Sequence, residues 1–192
     1  MILFIIVVLV LIPVIFALFS IAGDSKYRKE STKTLNEIIE KKNVKDFDYE
    51  QFEDGSILLD DRTNRMFHVI NGYDYVSRRE ENIVDVELVV DDAVAYHSSL
   101  SSATGRAIVG GVIAGGVGAI IGGLTGRQKG RKKIHRIELI LSYGEGKTKY
   151  NRITILSSKD GEDIFHDRTN RAYDRGLYWS KNISSRMGVV EE

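Results

Sequence analysis

Residues 106–127 read RAIVGGVIAGGVGAIIGGLTGR, and their reading decides how the rest of the chain is divided. The two terminal arginines enclose 20 residues without a charge. Small residues recur at four-residue steps, Gly111, Gly115, Ala119 and Gly123, with a second register through Gly118, Gly122 and Gly126. On a helix each series lines one side and lets another helix approach closely. These are the expected helix-packing positions. They predict a packing device and supply no reactive group.

An apolar run over 107–124 is just long enough to cross a bilayer. A single crossing places Arg127, Lys129, Arg131, Lys132 and Lys133 on the far side of the membrane, against the positive-inside bias, and splits two strand-rich halves. A helical hairpin turning near Gly115 and Gly116 avoids both. Its arms, about 12 Å long, reach into one leaflet without crossing it. A hairpin packed on the protein's own surface and a true span are the other two readings. Self-association through the glycine track is compatible with all three.

At the N-terminus, Ile2 to Ile21 is apolar except for Ser20, with Pro13 inside it. At 1.5 Å per residue the run reaches about 30 Å, the thickness of a hydrocarbon core. No Lys or Arg precedes it, and it exceeds the apolar core of a cleaved signal peptide. The expectation is an uncleaved transmembrane anchor over 1–22. Basic residues follow only on its C-terminal side, at Lys26, Arg28 and Lys29. That polarity predicts a single-pass protein of the cell membrane with its soluble domain in the cytoplasm. Both basic clusters, Lys26 to Lys29 and Arg127 to Lys133, adjoin apolar segments, so anionic lipids of the bilayer are the expected partner. A second copy or another membrane protein is a further one. Acidic and basic residues balance at 27 each, which gives no bulk attraction to nucleic acid.

Between these segments the period is that of strands. Residues 23–43 read as a helical connector with a thin apolar face, Leu35, Ile38 and Ile39, packing weakly on the strands after it. Residues 44–97 form a first strand-rich half. Asp54-Gly55 and Asn71-Gly72 are its turn signals, and IVDVELVV at 83–90 places Val86, Leu88 and Val90 on a core face. Residues 98–133 hold the glycine hairpin and a basic linker. In 134–190, two strands predicted around 134–143 and 148–156 precede a polar turn at Lys159 to Glu162, and an amphipathic helix begins at Asp167. The helix stripe is Ala172, Tyr173, Gly176, Ile183 and Met187. The fold class expected is mainly β (α+β): a transmembrane helix, then a small antiparallel barrel or curled sheet capped by the C-terminal helix and interrupted by the glycine hairpin.

Motifs for chemistry fail on context. Gly144 to Thr148 ends in GKT, but the first glycine of a phosphate loop would fall on Leu141, and the turn joins two strands rather than a strand and a helix. Gly116-Val117-Gly118 lacks the remaining dinucleotide pattern. His68, His97, His135 and His166 are not at ligand spacing, and Asp160, Glu162, Asp163 and Asp167 read as a solvated loop, so no metal or other cofactor is expected. Cysteine is absent, which removes disulfides, thiolate ligands and thiol nucleophiles. Asp61-Arg62-Thr63-Asn64-Arg65 recurs as Asp167-Arg168-Thr169-Asn170-Arg171. Turn and helix-cap chemistry reached twice is the preferred reading. The alternative is a surface site for phosphate or an acidic partner built on Arg62, Arg65, Arg168 and Arg171.

Asn82 to Asp92, Gly105 to Gly126, Ile137 to Leu156 and Ala172 to Met187 together resemble a loose group of uncharacterised bacterial and prophage-encoded, membrane-associated proteins. In these a glycine-zipper insert interrupts a small barrel of the pleckstrin-homology (PH) type. The resemblance covers about two thirds of the chain and implies a PH-like barrel with a capping helix, with lipid or protein recognition at a membrane. It carries no catalytic residue over. The function expected is therefore a non-enzymatic, membrane-anchored interaction module, related to envelope stress or phage exclusion. An anionic-lipid headgroup binder and an oligomeric membrane-perturbing protein acting through the glycine zipper are the alternatives.

Overall fold

The computed structural model describes residues 26–91, 93–100, 107–108, 133–144, 146 and 149–187. A helix, α1, covers 26–41. Four strands come next: β1 (Phe47–Gln51), β2 (Ile57–Asp61), β3 (Met66–Asn71) and β4 (Asp74–Arg79), paired antiparallel in chain order. A 3-10 turn (Glu80–Asn82) leads to β5 (Ile83–Val90), β6 (Ala93–Ser99), β7 (Ala107–Ile108), β8 (Lys133–Tyr143) and β9 (Tyr150–Asp163). These form a second sheet in the order β7-β6-β5-β8-β9. Helix α2 (Asp167–Arg186) ends the described chain.

Alternation of side chains explains the layering. In the first sheet, Leu58, Phe67 and Val69 point to one face and join Val86, Leu88, Ile137, Leu139, Ile153 and Ile155 of the second sheet in the main core. Ile57, Leu59 and Ile70 point to the other face and form a smaller core with Leu35 and Ile38 of α1. The first sheet is thus covered on both faces. Helix α1 is therefore no loose connector: the weakly packed helix expected from its thin apolar stripe is instead a docked layer. The stripe is thin because the helix buries only one narrow face, and that face meets three branched aliphatic side chains.

Helix α2 lies on the second sheet, with Ala172, Tyr173, Gly176, Trp179 and Ile183 buried. At Gly176 a Cβ would come within 2.5 Å of Leu88 Cδ1 and 2.9 Å of Ile155 Cδ1, so glycine sets the closeness of helix and sheet. Two details depart from the strand expectations. Strand β9 runs through Asp160-Gly161 to Asp163, where the sequence predicts a turn. Lys133 pairs with Asp163 and Ile134 with Glu162, and Gly161, at φ 72°, absorbs the register shift. In β8 a shift between Ile134 and Arg136 places Ile134 in the main core together with Ile137, which simple alternation does not allow.

The expected barrel is corrected by this topology. Among the described residues the fold is mixed α/β, two open sheets and two helices, with no closed barrel. Among those residues no backbone ladder joins the sheets. Side chains of the β1–β2 turn reach the edge of β9 instead: Asp54 Oδ2 accepts from Thr154 N at 3.0 Å and Glu53 Oε2 from Ser157 N at 3.4 Å. Short carboxylates thus cover an edge that barrel closure would have paired.

The membrane reading is corrected as well. No helix among the described residues is long and apolar enough to cross a membrane. Helix α1 carries Lys26, Arg28, Lys29 and Glu30 in its first turns, and α2 carries Asp167, Arg168, Arg171, Asp174, Arg175, Lys181 and Arg186. Both are amphipathic surface helices. The transmembrane anchor at 1–22 lies outside the described residues, and so does most of the glycine hairpin. The single-pass placement in the cell membrane, the cytoplasmic orientation and the membrane-anchored function all depend on a spanning helix, and none of the described helices supplies one.

Candidate functional site

Helix α1 is fixed by its contacts with two turns. Gly55 (φ 82°) and Gly72 (φ 65°) adopt a conformation open to glycine, and both lie against the Tyr27 ring. A Cβ on Gly55 would stand 2.7 Å from Tyr27 Cδ1, and one on Gly72 2.9 Å from Cε2. Burial, then the nearby charges of Asp54 and Asp74, raise the Tyr27 phenol above its ordinary pKa. Gly72 N donates to Ser31 Oγ at 2.9 Å, and Thr34 Oγ1 donates to Gly72 O at 2.8 Å. The β3–β4 turn is thereby pinned through both the N–H and the carbonyl of Gly72.

This docking leaves an open cleft of about 550 Å³ between α1 and the end of β1, lined by Arg28, Lys29, Thr32 and Gln51. Arg28 and Thr32 are one helical turn apart and share a face. Arg28 Nη2 donates to Glu53 O at 2.7 Å, which anchors one end of the guanidinium. Gln51 Nε2 donates to Arg28 O at 3.2 Å and Gly55 O at 3.4 Å. Thr32 Oγ1 donates to Arg28 O at 3.0 Å. Among the described lining residues there are two cations, a hydroxyl and a carboxamide, and no carboxylate. Such a lining suits an anionic group.

The other predicted cations have different places. Lys26 precedes the cleft on α1. Lys133 opens β8 and donates to Asp160 O at 2.9 Å. Arg127, Lys129, Arg131 and Lys132 lie outside the described residues, as do Gly111, Gly115, Gly118, Ala119, Gly122, Gly123 and Gly126.

The two five-residue repeats stand near opposite ends of α2. The first is the β2–β3 turn. Asp61 Oδ1 accepts from Asn64 N at 2.9 Å, and Thr63 Oγ1 accepts from Lys45 N and Asp46 N at 2.9 Å each. The second forms the first turn of α2, with His166 as N-cap, accepting from Arg168 N at 3.3 Å, and Thr169 Oγ1 donating to Asp163 O at 2.9 Å. Arg168 grips Glu53 at 2.8 and 2.9 Å and Glu162 at 2.5 Å. Arg62 contacts Asp46, Asp48 and Asp60, and Arg65 contacts Glu80. Arg171 is exposed. Three of the four arginines thus serve contacts inside the fold.

Sequence spacing missed four clusters. Glu50 accepts from Arg175 Nε and from Trp179 Nε1 at 2.6 Å, holding α2 to β1. Asp60, fully buried, meets Arg186 at 2.5 Å and Asn182 at 3.3 Å, while Arg186 also reaches Glu80 at 3.1 Å and lies 4.6 Å above the Phe67 ring. His68, also fully buried, has Ser77 Oγ 2.6 Å from Nδ1 and Asp61 Oδ2 3.5 Å from Nε2. Desolvation lowers its pKa below 6.5, against the pull of Asp61. The Ser–His–Asp order resembles a hydrolase triad, but the fully buried ring is shut off from any substrate. On the second sheet, Asp85, Glu87 and His97 also converge.

A family model described as the glycine zipper containing PH domain matches residues 36–157, more than half of the chain. The chain belongs to this family. The match runs from the middle of α1 through both sheets and spans the glycine-rich insert. No curated protein and no solved structure matches the chain. Family membership is that of a non-catalytic domain of the interaction-module type, and the expectation that the PH domain is not an enzyme stands on it. It does not tie the chain to prophages or to membranes.

Proposed function

We propose that this PH domain is a recognition module that takes an anionic group, a phosphate foremost, into the cleft between α1 and β1. The observation that carries the reading is the lining: Arg28, Lys29, Thr32 and Gln51 around an open volume, with no carboxylate among its described residues. An arginine held at one end by a carbonyl keeps its remaining N–H groups ordered for an oxyanion, and a lysine beside it adds charge without fixed geometry. The phosphate belongs either to a soluble ligand or to a lipid headgroup. The bacterial and prophage resemblance of the Gly105 to Gly126 pattern is part of the same proposal and bears on where such a ligand is met.

The test is binding of the full-length chain to inositol hexakisphosphate and, separately, to vesicles with and without phosphatidylserine. The expected result is saturable binding that weakens about 10-fold or more in Arg28→Glu/Lys29→Glu, the loss of one or two charge-assisted contacts. Binding of the soluble polyphosphate alone assigns a soluble ligand, and binding of anionic vesicles alone assigns a headgroup. Equal binding by the wild type and the charge-reversed variant refutes the cleft.

A further inference from the structure

We propose that the free edge of β1 docks an extended, phosphorylated segment of a partner protein, which adds to the first sheet as a further strand and sets its phosphate in the α1–β1 cleft. The inference rests on the anionic reading of that cleft and names what carries the phosphate.

Strand β1 is an outer strand of the first sheet. Arg62 N donates to Asp46 O at 3.1 Å and Phe52 N to Ser56 O at 2.9 Å, so the even-numbered residues of this stretch exchange bonds with β2. The odd-numbered residues therefore aim their N–H and C=O groups away from β2. At Gln51 the carbonyl takes Arg175 Nη2 at 3.4 Å. Among the described residues, nothing bonds the outward backbone groups of Phe47 and Tyr49. Other edges are covered: that of β9 receives Asp54 and Glu53, and on β4 Arg78 Nη1 donates to Ser77 O at 2.9 Å. Strand β1 carries no Lys and no Pro, and its register with β2 is unbroken, so the usual blocks to strand addition are missing from it.

The side chains set the chemistry of the partner. Phe47, Tyr49 and Gln51 lie opposite Asp61, Leu59 and Ile57 and so share the face on which α1 packs. Gln51 ends this row inside the cleft, beside Arg28 and Lys29. Tyr49 is 50 % exposed and Phe47 37 %, with their rings 6.3 Å apart. A strand laid along this edge meets cations at one end and two aromatic rings beyond them. It places a phosphorylated residue beside Gln51 and apolar side chains two and four residues further on. A second copy of the chain is the poorer occupant. End-to-end antiparallel pairing of two β1 strands puts Asp48 opposite Glu50 twice, and like charges in directly opposed positions destabilise a ladder.

The test is selection on the full-length chain from a library of short peptides with a fixed phosphoserine, followed by amide hydrogen exchange of the complex. The selected peptides are expected to carry apolar residues two and four positions from the phosphoserine and to bind about 10-fold more weakly without the phosphate. They slow exchange at Phe47 and Tyr49 by more than about 10-fold. N-methylation of the peptide backbone at the positions facing β1 abolishes binding. Phe47→Pro, which removes one outward N–H, weakens peptide binding while inositol hexakisphosphate still binds. Should circular dichroism show Phe47→Pro unfolded, the N-methylated peptides give the same reading. Selected peptides that leave the Phe47 and Tyr49 amides unprotected overturn the edge. So does binding of anionic vesicles with no peptide selected, or of inositol hexakisphosphate at the cleft with no peptide selected, and in both the cleft stands. Failure of the wild type to bind any phosphate probe removes cleft and edge together.

Discussion

His68 is a described residue whose burial makes the fold sensitive to acid. Its ring is buried, and desolvation holds its folded pKa below the 6.5 of the unfolded chain. The unfolded state therefore binds the proton first as pH falls. The stability that neutral His68 contributes is fully present above pH 6.5 and is lost as pH falls from there through the folded pKa, at up to about 1.4 kcal/mol per pH unit. Urea midpoints at pH 7.5 and 5.5 check this: the wild type loses stability on acidification, and His68→Gln loses less. Equal slopes contradict the assignment. Gly72 is a second sensitive position. Its φ of 65° and the Tyr27 ring 2.9 Å from the site of a Cβ make Gly72→Ala destabilising, by about 1–2 kcal/mol or more in denaturant unfolding. The Asn71-Gly72 signal made this turn legible in the sequence. The use of its peptide group by Ser31 and Thr34 was not legible, because those hydrogen bonds span about forty residues.

At the level of elements, α1 packs on one face of the first sheet, and α2 lies on the second sheet and reaches the first through side chains. Leu35→Ala removes one of five buried side chains of the smaller core and is expected to cost about 2–5 kcal/mol. A helix that packed weakly would show well under 1 kcal/mol. Arg186 compensates Asp60 and Glu80, both buried. Arg186→Met leaves two carboxylates without that cation, and a loss of about 3–5 kcal/mol is expected, part of which Asp60→Asn restores. Additive losses in the double variant contradict the coupling. The sequence carried the strand periods of β5 and β8 and the helical stripe of α2, since each has an alternating or 3.6-residue apolar pattern. It did not carry the length of β9. Asp160-Gly161 has the composition of a turn, and only the long partner β8 keeps the chain extended there. Nor did it carry the docking of α1, whose strength resides in the partner surface rather than in the helix.

At the scale of the molecule, among the described residues, the two sheets are joined by side chains and by α2 rather than by a closed ladder. Glu50, Glu53, Asp54 and Asp60 of the first sheet and its turn take donors from β9 and α2. The barrel expectation failed because strand count and alternation say how many strands form, and closure depends on edge partners that no local pattern records. The candidate cleft was half legible. The cluster at Lys26, Arg28 and Lys29 was visible as charge, while Thr32 and Gln51 join it only through the docking of α1 on the β1–β2 turn. The most direct test of the central claim is a backbone-amide NMR titration of the full-length chain with inositol hexakisphosphate. The account predicts that the largest shifts fall at Arg28, Lys29, Thr32 and Gln51 and that high salt reduces them. Shifts centred elsewhere on the surface, with these four residues unmoved, would contradict it.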